Sequence, residues 1–458
     1  MYGSDHRGLL RPRNKGEQQV TPLELFFDLV FVFAVTQLSH RLLDHLTVSN
    51  ALETLLLLLA VWRAWVDTTW VTNWFDPDRT PVRLLLVALM LVSLVMSVAI
   101  PEAFGERGLM FALAYVIIQA GRTAFVVLAL ERFSSLSRNF QRILAWFAIP
   151  AMLWVAGGLL QGEARYVLWA LALVLEYTGP VTGFWTPGLG RSTTADWTVQ
   201  GGHFAERCRL FVILALGESI LVTGTTFGEI EATTATVSAF VVAFLGSVAL
   251  WWLYFARSAE AARRTFSSSA DPGRVARSAY TYFHLPMIAG IIAVAAADEF
   301  MVAHPGDRGT GASVALSIGG IALFFAGHAL FKWAIFGVLS WPRVVAIAAL
   351  ITLIPVGFLV PALALGVAVT LIAAALAVWD SLVYRGTVRS PRGAAKDEEV
   401  ATDDNADETD TDVERGLTAR SANSGETDAE DDEDSGAGGA GEGGGTPNIE
   451  HGPGPTVS

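Results

Sequence analysis

The sequence predicts an all-α polytopic transmembrane helical bundle of about twelve spans, built as a parallel six-plus-six duplication. Three observations carry this. Apolar residues make up 52% of the 458 residues and charged residues only 16%, whereas a soluble domain carries about 25% charged residues. The apolar residues fall in blocks of about twenty, the length needed to cross a ~30 Å hydrocarbon core. Basic residues alternate between abundant and scarce in successive connecting segments, as the inside and outside loops of a membrane protein do. The single cysteine, Cys208, excludes a disulfide scaffold.

Taken in order, residues 1–20 form a polar arm with Arg7, Arg11, Arg13 and Lys15. No small-residue cleavage site follows a short apolar run, so the first span is expected to act as an uncleaved insertion signal. Twelve apolar windows follow, near 22–44, 50–73, 84–104, 109–130, 141–161, 165–184, 204–227, 234–256, 278–298, 311–331, 343–360 and 361–384. The last two are separated only by a turn near Pro361, so eleven is the alternative count.

With the N-terminus placed inside, the inside segments hold 21 Lys and Arg residues. The outside loops hold four: Arg41, Arg107, Arg165 and Arg308. Basic residues beside spans stay cytoplasmic, so both termini are expected in the cytoplasm and the chain in the cell membrane. The net charge of −13 belongs to the C-terminus. Residues 391–458 hold 19 acidic and 4 basic residues, and the preceding 390 hold 25 acidic and 27 basic. That tail is rich in Gly, Ala, Asp, Glu, Thr and Ser, and has too little apolar surface to offset its ordering entropy. The expected organisation is therefore a cytoplasmic arm (1–20), two six-helix membrane halves (21–203 and 204–385) and an acidic disordered cytoplasmic tail (386–458).

Four echoes in the same order suggest the duplication. Glu24 matches Glu206, Trp62 matches Trp252, Glu102 matches Glu299, and AGRTAF (120–125) matches AGHALF (326–331). The offset rises steadily, from 182 to 206, as lengthening loops require. Six spans per half would insert both halves the same way up, and transporters built from parallel repeats bind their substrate between the halves.

Ionisable residues inside spans are the functional signal. Each costs about 2.5–3.5 kcal/mol at a helix centre, so Glu24, Asp28, Arg63, Asp67, Arg122, Glu176, Glu206, Arg207, Arg209 and Glu218 must face protein or water and pair. Glu24 and Asp28 are four apart and share one face of the first span; Arg63 and Asp67 are spaced to pair within the second. In the seventh, His203, Arg207 and Glu218 line one side, while Glu206 and Arg209 sit three apart on an adjoining face. Two readings follow. Glu24, Asp28, Glu206, Arg207, Glu218 and Ser219 could form an ion, proton or substrate pathway, because a carboxylate buried without a full partner suits proton exchange. Arg63, Asp67, Arg122 and Arg209 are then structural ion pairs, and the whole set also fits a salt-bridged core.

Enzyme signatures are weak. Gly217-Glu218-Ser219 lacks the Gly-x-Ser-x-Gly spacing of a nucleophile elbow. His203-x-x-Glu206 occurs once, without a second ligand pair. His40, His284 and His328 are scattered. No phosphate-cradling loop or nucleic-acid motif appears. The chain is therefore expected to be neither an enzyme nor a holder of metal or cofactor; its partners are the lipid bilayer and an ion or small solute, with homo-oligomerisation left open. Trp62 and Trp65 read as packing, and Trp70 and Trp74 as an interfacial belt.

At TPLELFFDLVFVFAVTQLSH (21–40) and HFAERCRLFVILALGESIL (203–221) the chain resembles the bacterial low temperature requirement A family. The Trp-rich VWRAWVDTTWVTNWFD segment and LWWLYF (250–255) fit as well, and the resemblance covers about 21–385. It implies a prokaryotic multi-pass membrane protein linked by name to growth in the cold, with no molecular activity attached. It emphasises Glu24, Phe27, Asp28, His203, Glu206, Arg207, Gly217, Glu218 and Ser219. Arg63 is a departure, since similar proteins tend to have an apolar or aromatic residue there. A looser similarity, to two-repeat potassium channels of the transmembrane protein 175 type, rests on Phe26-Phe27-Asp28 and is analogy only. The expected function is an ion- or proton-coupled transporter. The alternatives are a two-repeat cation channel and a non-transporting membrane protein supporting growth in the cold.

Overall fold

The computed structural model describes residues 8–12, 18–44, 46–131, 134–256 and 258–388, with side chains to Leu382. All but the first three residues of the predicted acidic tail lie outside the described residues, as do 1–7 and 13–17 of the arm. Six helices fall in the expected first half: α1 (Pro22–Asp44), α2 (Val48–Trp74), α3 (Thr80–Ala99), α4 (Gly108–Ala129), α5 (Ser135–Leu159) and α6 (Glu163–Thr182). The second half comprises α7 (Gly201–Glu229), α8 (Thr234–Phe255), α9 (Ser258–Ser267), α10 (Pro272–Val275), α11 (His284–Ala303), α12 (Gly311–Phe336), α13 (Trp341–Thr352), α14 (Ile354–Gly357) and α15 (Ala362–Val388).

Local chemistry sets many of these ends. Thr47 and Ser134 cap α2 and α5 by accepting from the N–H three residues on. Hydroxyl pairs Thr233/Thr236 and Thr310/Ser313 box the starts of α8 and α12. Gly183 and Gly337 close α6 and α12 with positive φ.

Polar contacts define two ends of the bundle. At one, Arg41 donates to the Pro101 carbonyl and to Glu53, and Tyr166 also donates to Glu53. There too, Arg165 donates to the Ala103 and Gly105 carbonyls at 2.9 and 2.7 Å. The α1–α2, α3–α4 and α5–α6 connections therefore meet. At the other end Arg142 of α5 donates to the Leu189 carbonyl at 2.9 Å. Arg277 donates to the Pro180 carbonyl at 3.0 Å. The first six helices thus run alternately up and down.

Ten helices among the described residues are long and apolar enough to cross a membrane. The expected twelve divide into these ten and two others that join the same ends without meeting both criteria. One is α6. The other is the broken pair α13–α14, where Pro355 follows the last turn of α13; a proline has no N–H to continue the ladder. Arg343 at the start of α13 pairs with Asp380 of α15 at 2.6 Å. Past α14, the Ala362 N–H reaches the Asp307 carbonyl of the α11–α12 connection at 2.8 Å.

The stretch expected as one span near 278–298 lies within one apolar helical stretch, Pro272–Ala303, and carries an irregular turn at its start. Residues Ala276–Tyr282 form a π-turn, whose Phe283 N–H reaches the Ser278 carbonyl at 3.1 Å, and α11 begins after it. Pro286 in the first turn of α11 cannot donate backward, which favours a break at this point. Exposed Leu84, Leu91, Leu128, Met152, Val167 and Leu171 present an apolar outer surface, the face a bilayer solvates. α1 packs on α2 and α3, and α3 on α4; α7 packs on α8 and α11, and α11 on α12.

Candidate functional site

The sequence brings Thr21 and Glu24 to the start of α1 at the spacing of a capping box. The Thr21 N–H and hydroxyl donate to Glu24 Oε2 at 2.9 and 3.1 Å, and the Glu24 N–H returns to Thr21 Oγ1 at 3.3 Å. This leaves the carboxylate buried where α1 meets α7. One turn on, Asp28 is buried on the same face. Arg207 of α7 reaches both, donating to Glu24 Oε1 at 3.0 Å and to the two oxygens of Asp28 at 3.1 and 2.5 Å. It also donates to Thr72 Oγ1 at 3.1 Å. All three charged side chains are shielded from solvent.

Neutral donors and a second guanidinium complete the knot. Trp65 Nε1 donates to Asp28 Oδ1 at 2.7 Å. Arg11 donates to Glu24 Oε2 at 2.8 Å while its own N–H bonds the Trp74 carbonyl at 2.8 Å. The polar arm is thereby pinned against the end of α2. His203 is fixed through Asn73. The Gln200 N–H occupies Asn73 Oδ1 at 2.8 Å, so the amide NH2 donates to His203 Nδ1 at 3.2 Å. The imidazole then carries its proton on Nε2 and donates to Glu24 Oε1 at 3.0 Å. Two carboxylates face two guanidiniums, so the knot is neutral and its oxygens are richly supplied with donors.

Glu218 stands apart. It lies eleven residues beyond Arg207 on α7, about 16 Å along the helix. It accepts from Thr36 Oγ1 of α1 at 2.5 Å. Beside it, the buried Ser219 hydroxyl has no hydrogen-bond partner among the described residues. Farther along the same interface, Glu299 of α11 lies by Thr226 of α7 within electrostatic reach of His40. The α1–α7–α11 contact therefore carries polar groups from Glu24 through Glu218 to Glu299. The structure does not bring Glu206 into this set. Its partner is Arg209 at 2.9 Å on a partly exposed face, next to Glu260 of α9.

The second-helix charges form a separate cluster. Arg63 and Arg122 both approach Asp67 Oδ2, at 2.9 and 3.5 Å. Arg63 also lies over the Tyr177 ring at 5.6 Å, which is how this chain accommodates a charge at that position. Behind them Glu176 accepts from Tyr115 at 2.5 Å, Trp154 at 2.7 Å and Gln119 at 3.4 Å. Trp62 and Trp65 pack on Phe211 as expected. Trp74 is buried against protein, donating to the Thr198 carbonyl at 2.7 Å. Among the described residues no group of His, Cys, Asp or Glu side chains is arranged to hold a metal.

Sequence spacing found Glu24, Asp28, Arg207 and the Arg63–Asp67–Arg122 set. It missed Arg11, Asn73, Thr36 and Trp65. The Thr21-x-x-Glu24 box was a legible signal for the carboxylate's position; the others depend on which helices become neighbours.

The profile described as "Bacterial low temperature requirement A protein" matches residues 19–378. The chain belongs to this family. An uncharacterised protein of Rhizobium meliloti (strain 1021) is 39% identical over 391 residues, covering 84% of this chain and 95% of that one. No solved structure matches. Both motifs that carried the resemblance, at 21–40 and 203–221, fall where α1 and α7 of this low temperature requirement A protein exchange their buried charges.

Proposed function

We propose that this multi-pass membrane protein is an ion- or proton-coupled transporter in which Glu218 exchanges the coupled ion or proton. The observation that carries the proposal is a contrast along one interface. Glu24 and Asp28 are neutralised by guanidiniums, whereas Glu218 takes a hydroxyl as its described partner. A carboxylate held this way can gain and lose a proton or cation without breaking an ion pair. An unpaired acid in a membrane interior is expensive and is retained for function by default. The knot at Glu24, Asp28 and Arg207 then holds α1 and α7 together at one end of the pathway.

The two-half organisation supports the same reading. Contacts between α1 and α7 rise together in sequence, with separations of 179, 183 and 182, so the helices run parallel. Thr36 and Glu218 differ by 182, the offset that relates Glu24 to Glu206. An axis along the membrane normal between parallel halves places such pairs at one depth, where repeat transporters bind. On this reading the chain lies in the cell membrane with both termini cytoplasmic and moves an ion or small solute. The parallel pair would serve a two-repeat cation channel equally, and a fully paired knot is also what a non-transporting protein needs.

Ion flux in proteoliposomes under imposed H⁺, K⁺ and Na⁺ gradients separates these. Glu218→Gln, still folded by elution and melting, is expected to lose at least tenfold of the pH-dependent flux. Unchanged flux in that variant defeats the assignment. Unsaturable flux, orders of magnitude faster, assigns a channel; no flux from folded wild type under any gradient favours the non-transporting protein.

A further inference from the structure

A cavity of about 250 Å³ lies between α2, α4, α5, α6 and the segment leading into α7, away from the α1–α7 interface. Its lining holds four guanidiniums, Arg63, Arg122, Arg191 and Arg277, and one carboxylate, Asp67. Arg63 and Arg122 are engaged with Asp67 on the buried floor, and Glu176 stands behind them. The uncompensated charge is therefore at the mouth, on exposed Arg191 and on Arg277, which spends one nitrogen on the Pro180 carbonyl. The walls between mouth and floor are aromatic: Trp70, Phe140, Phe184 and Trp197. Phe184 is held at φ 50° directly after Gly183 at φ 68°. A non-glycine residue in that region is uncommon and its strain tends to mark a functional segment. Gly183 itself cannot be replaced, because a Cβ would lie 2.2 Å from the Ser192 carbonyl oxygen.

We infer that this cavity binds an organic anion with an apolar body: a carboxylate or phosphate group on Arg191 and Arg277, the body between the aromatic walls, and a polar substituent reaching Asp67. Pockets of this kind are mostly apolar with a few polar groups that fix orientation. A 150 Å³ cavity takes benzene, so this one admits a body of about ten heavy atoms. Guanidinium forks favour carboxylate and phosphate over other anions. The anion's source is a soluble metabolite or the headgroup of an anionic lipid. The inference does not rest on transport; binding without flux leaves it standing.

The test is a titration of full-length protein in detergent with 1-naphthoate and 1-naphthyl phosphate, read by quenching of tryptophan emission and by melting temperature. The neutral control is 1-naphthalenemethanol. Saturable binding of both anions is expected, at least tenfold tighter than the alcohol. The double variant Arg191→Gln/Arg277→Gln should lose that preference while its melting point without ligand stays near wild type. Single Arg191→Gln, which alters only an exposed side chain, should lose part of it and covers the case of a misfolded double variant. Equal binding of the alcohol, or an anion preference untouched by either variant, overturns the proposal. Repeating the titration in nanodiscs identifies the source. Displacement of the probe by phosphatidylglycerol but not phosphatidylcholine assigns a lipid headgroup; equal binding in both assigns a soluble anion.

Discussion

At the scale of single residues, Arg207 is the side chain on which most depends. It is fully buried and contacts both Glu24 and Asp28. Removing one partner of such a set leaves uncompensated charge in a low-dielectric interior, which costs about 3–5 kcal/mol. Arg207→Met is therefore expected to lower the melting temperature of the purified protein sharply. Arg209→Gln, two residues away, breaks a partly exposed pair with Glu206, worth about 0–1 kcal/mol. Adding Asp28→Asn to Arg207→Met should recover much of the loss, because the stranded charge goes with it while Glu24 keeps Arg11 as its partner. Equal melting of Arg207→Met and Arg209→Gln would show that the knot is not what joins α1 to α7. The helical spacing of Glu24 with Asp28 made half of this knot legible in the sequence. Arg207 was among the residues grouped with them, but that it bonds both carboxylates did not follow, since only the packing of α1 on α7 brings it there.

At the scale of elements, α11 and α12 approach more closely than large side chains permit. A Cβ on Gly290 would lie 2.7 Å from the Gly320 carbonyl oxygen, and one on Gly320 would lie 2.9 Å from the Val294 nitrogen. Small residues that let backbones meet are the common glue of membrane helices, where burial of apolar surface gives little drive. Gly319 next door meets nothing within 4 Å. Gly320→Val should force the pair apart and cost about 1–3 kcal/mol by overpacking, whereas Gly319→Ala should be neutral or slightly stabilising through helix propensity. Thermal melting of the two variants side by side checks this, and equal behaviour would refute the close approach. The long uniform spans, such as α4 and α12, were legible from hydropathy and length because nothing interrupts them. The failure sits at a proline. The window at 343–360 ran across Pro355 and is a broken pair of helices, whereas the one at 278–298 lies within a single apolar helical stretch, Pro272–Ala303, that opens on a π-turn. Hydropathy averages over a residue that carries a local backbone constraint. The polar α9 and α10 were missed because no apolar window marks them.

At the scale of the whole molecule, the sidedness read from loop charges meets the fold in one place. The scarce bases Arg41, Arg107 and Arg165 fall at one end of the first half, where Arg41 and Arg165 tie the turns together through carbonyls at Pro101, Ala103 and Gly105. These bases are few and engaged with protein. The abundant bases lie at the other end, beside the arm that Arg11 pins to α2. If abundance sets orientation, Asp78 faces the cytoplasm and Glu106 faces outward; both are exposed at opposite ends of α3. The sole cysteine, Cys208, is fully buried, so it gives little background to a membrane-impermeant thiol reagent. Glu106→Cys is expected to label in intact cells. Asp78→Cys should label only after the membrane is opened. The reverse pattern would place both termini outside. It would also turn the cavity under Arg191 and Arg277 toward the exterior, leaving its chemistry intact and changing the pool of anions it samples.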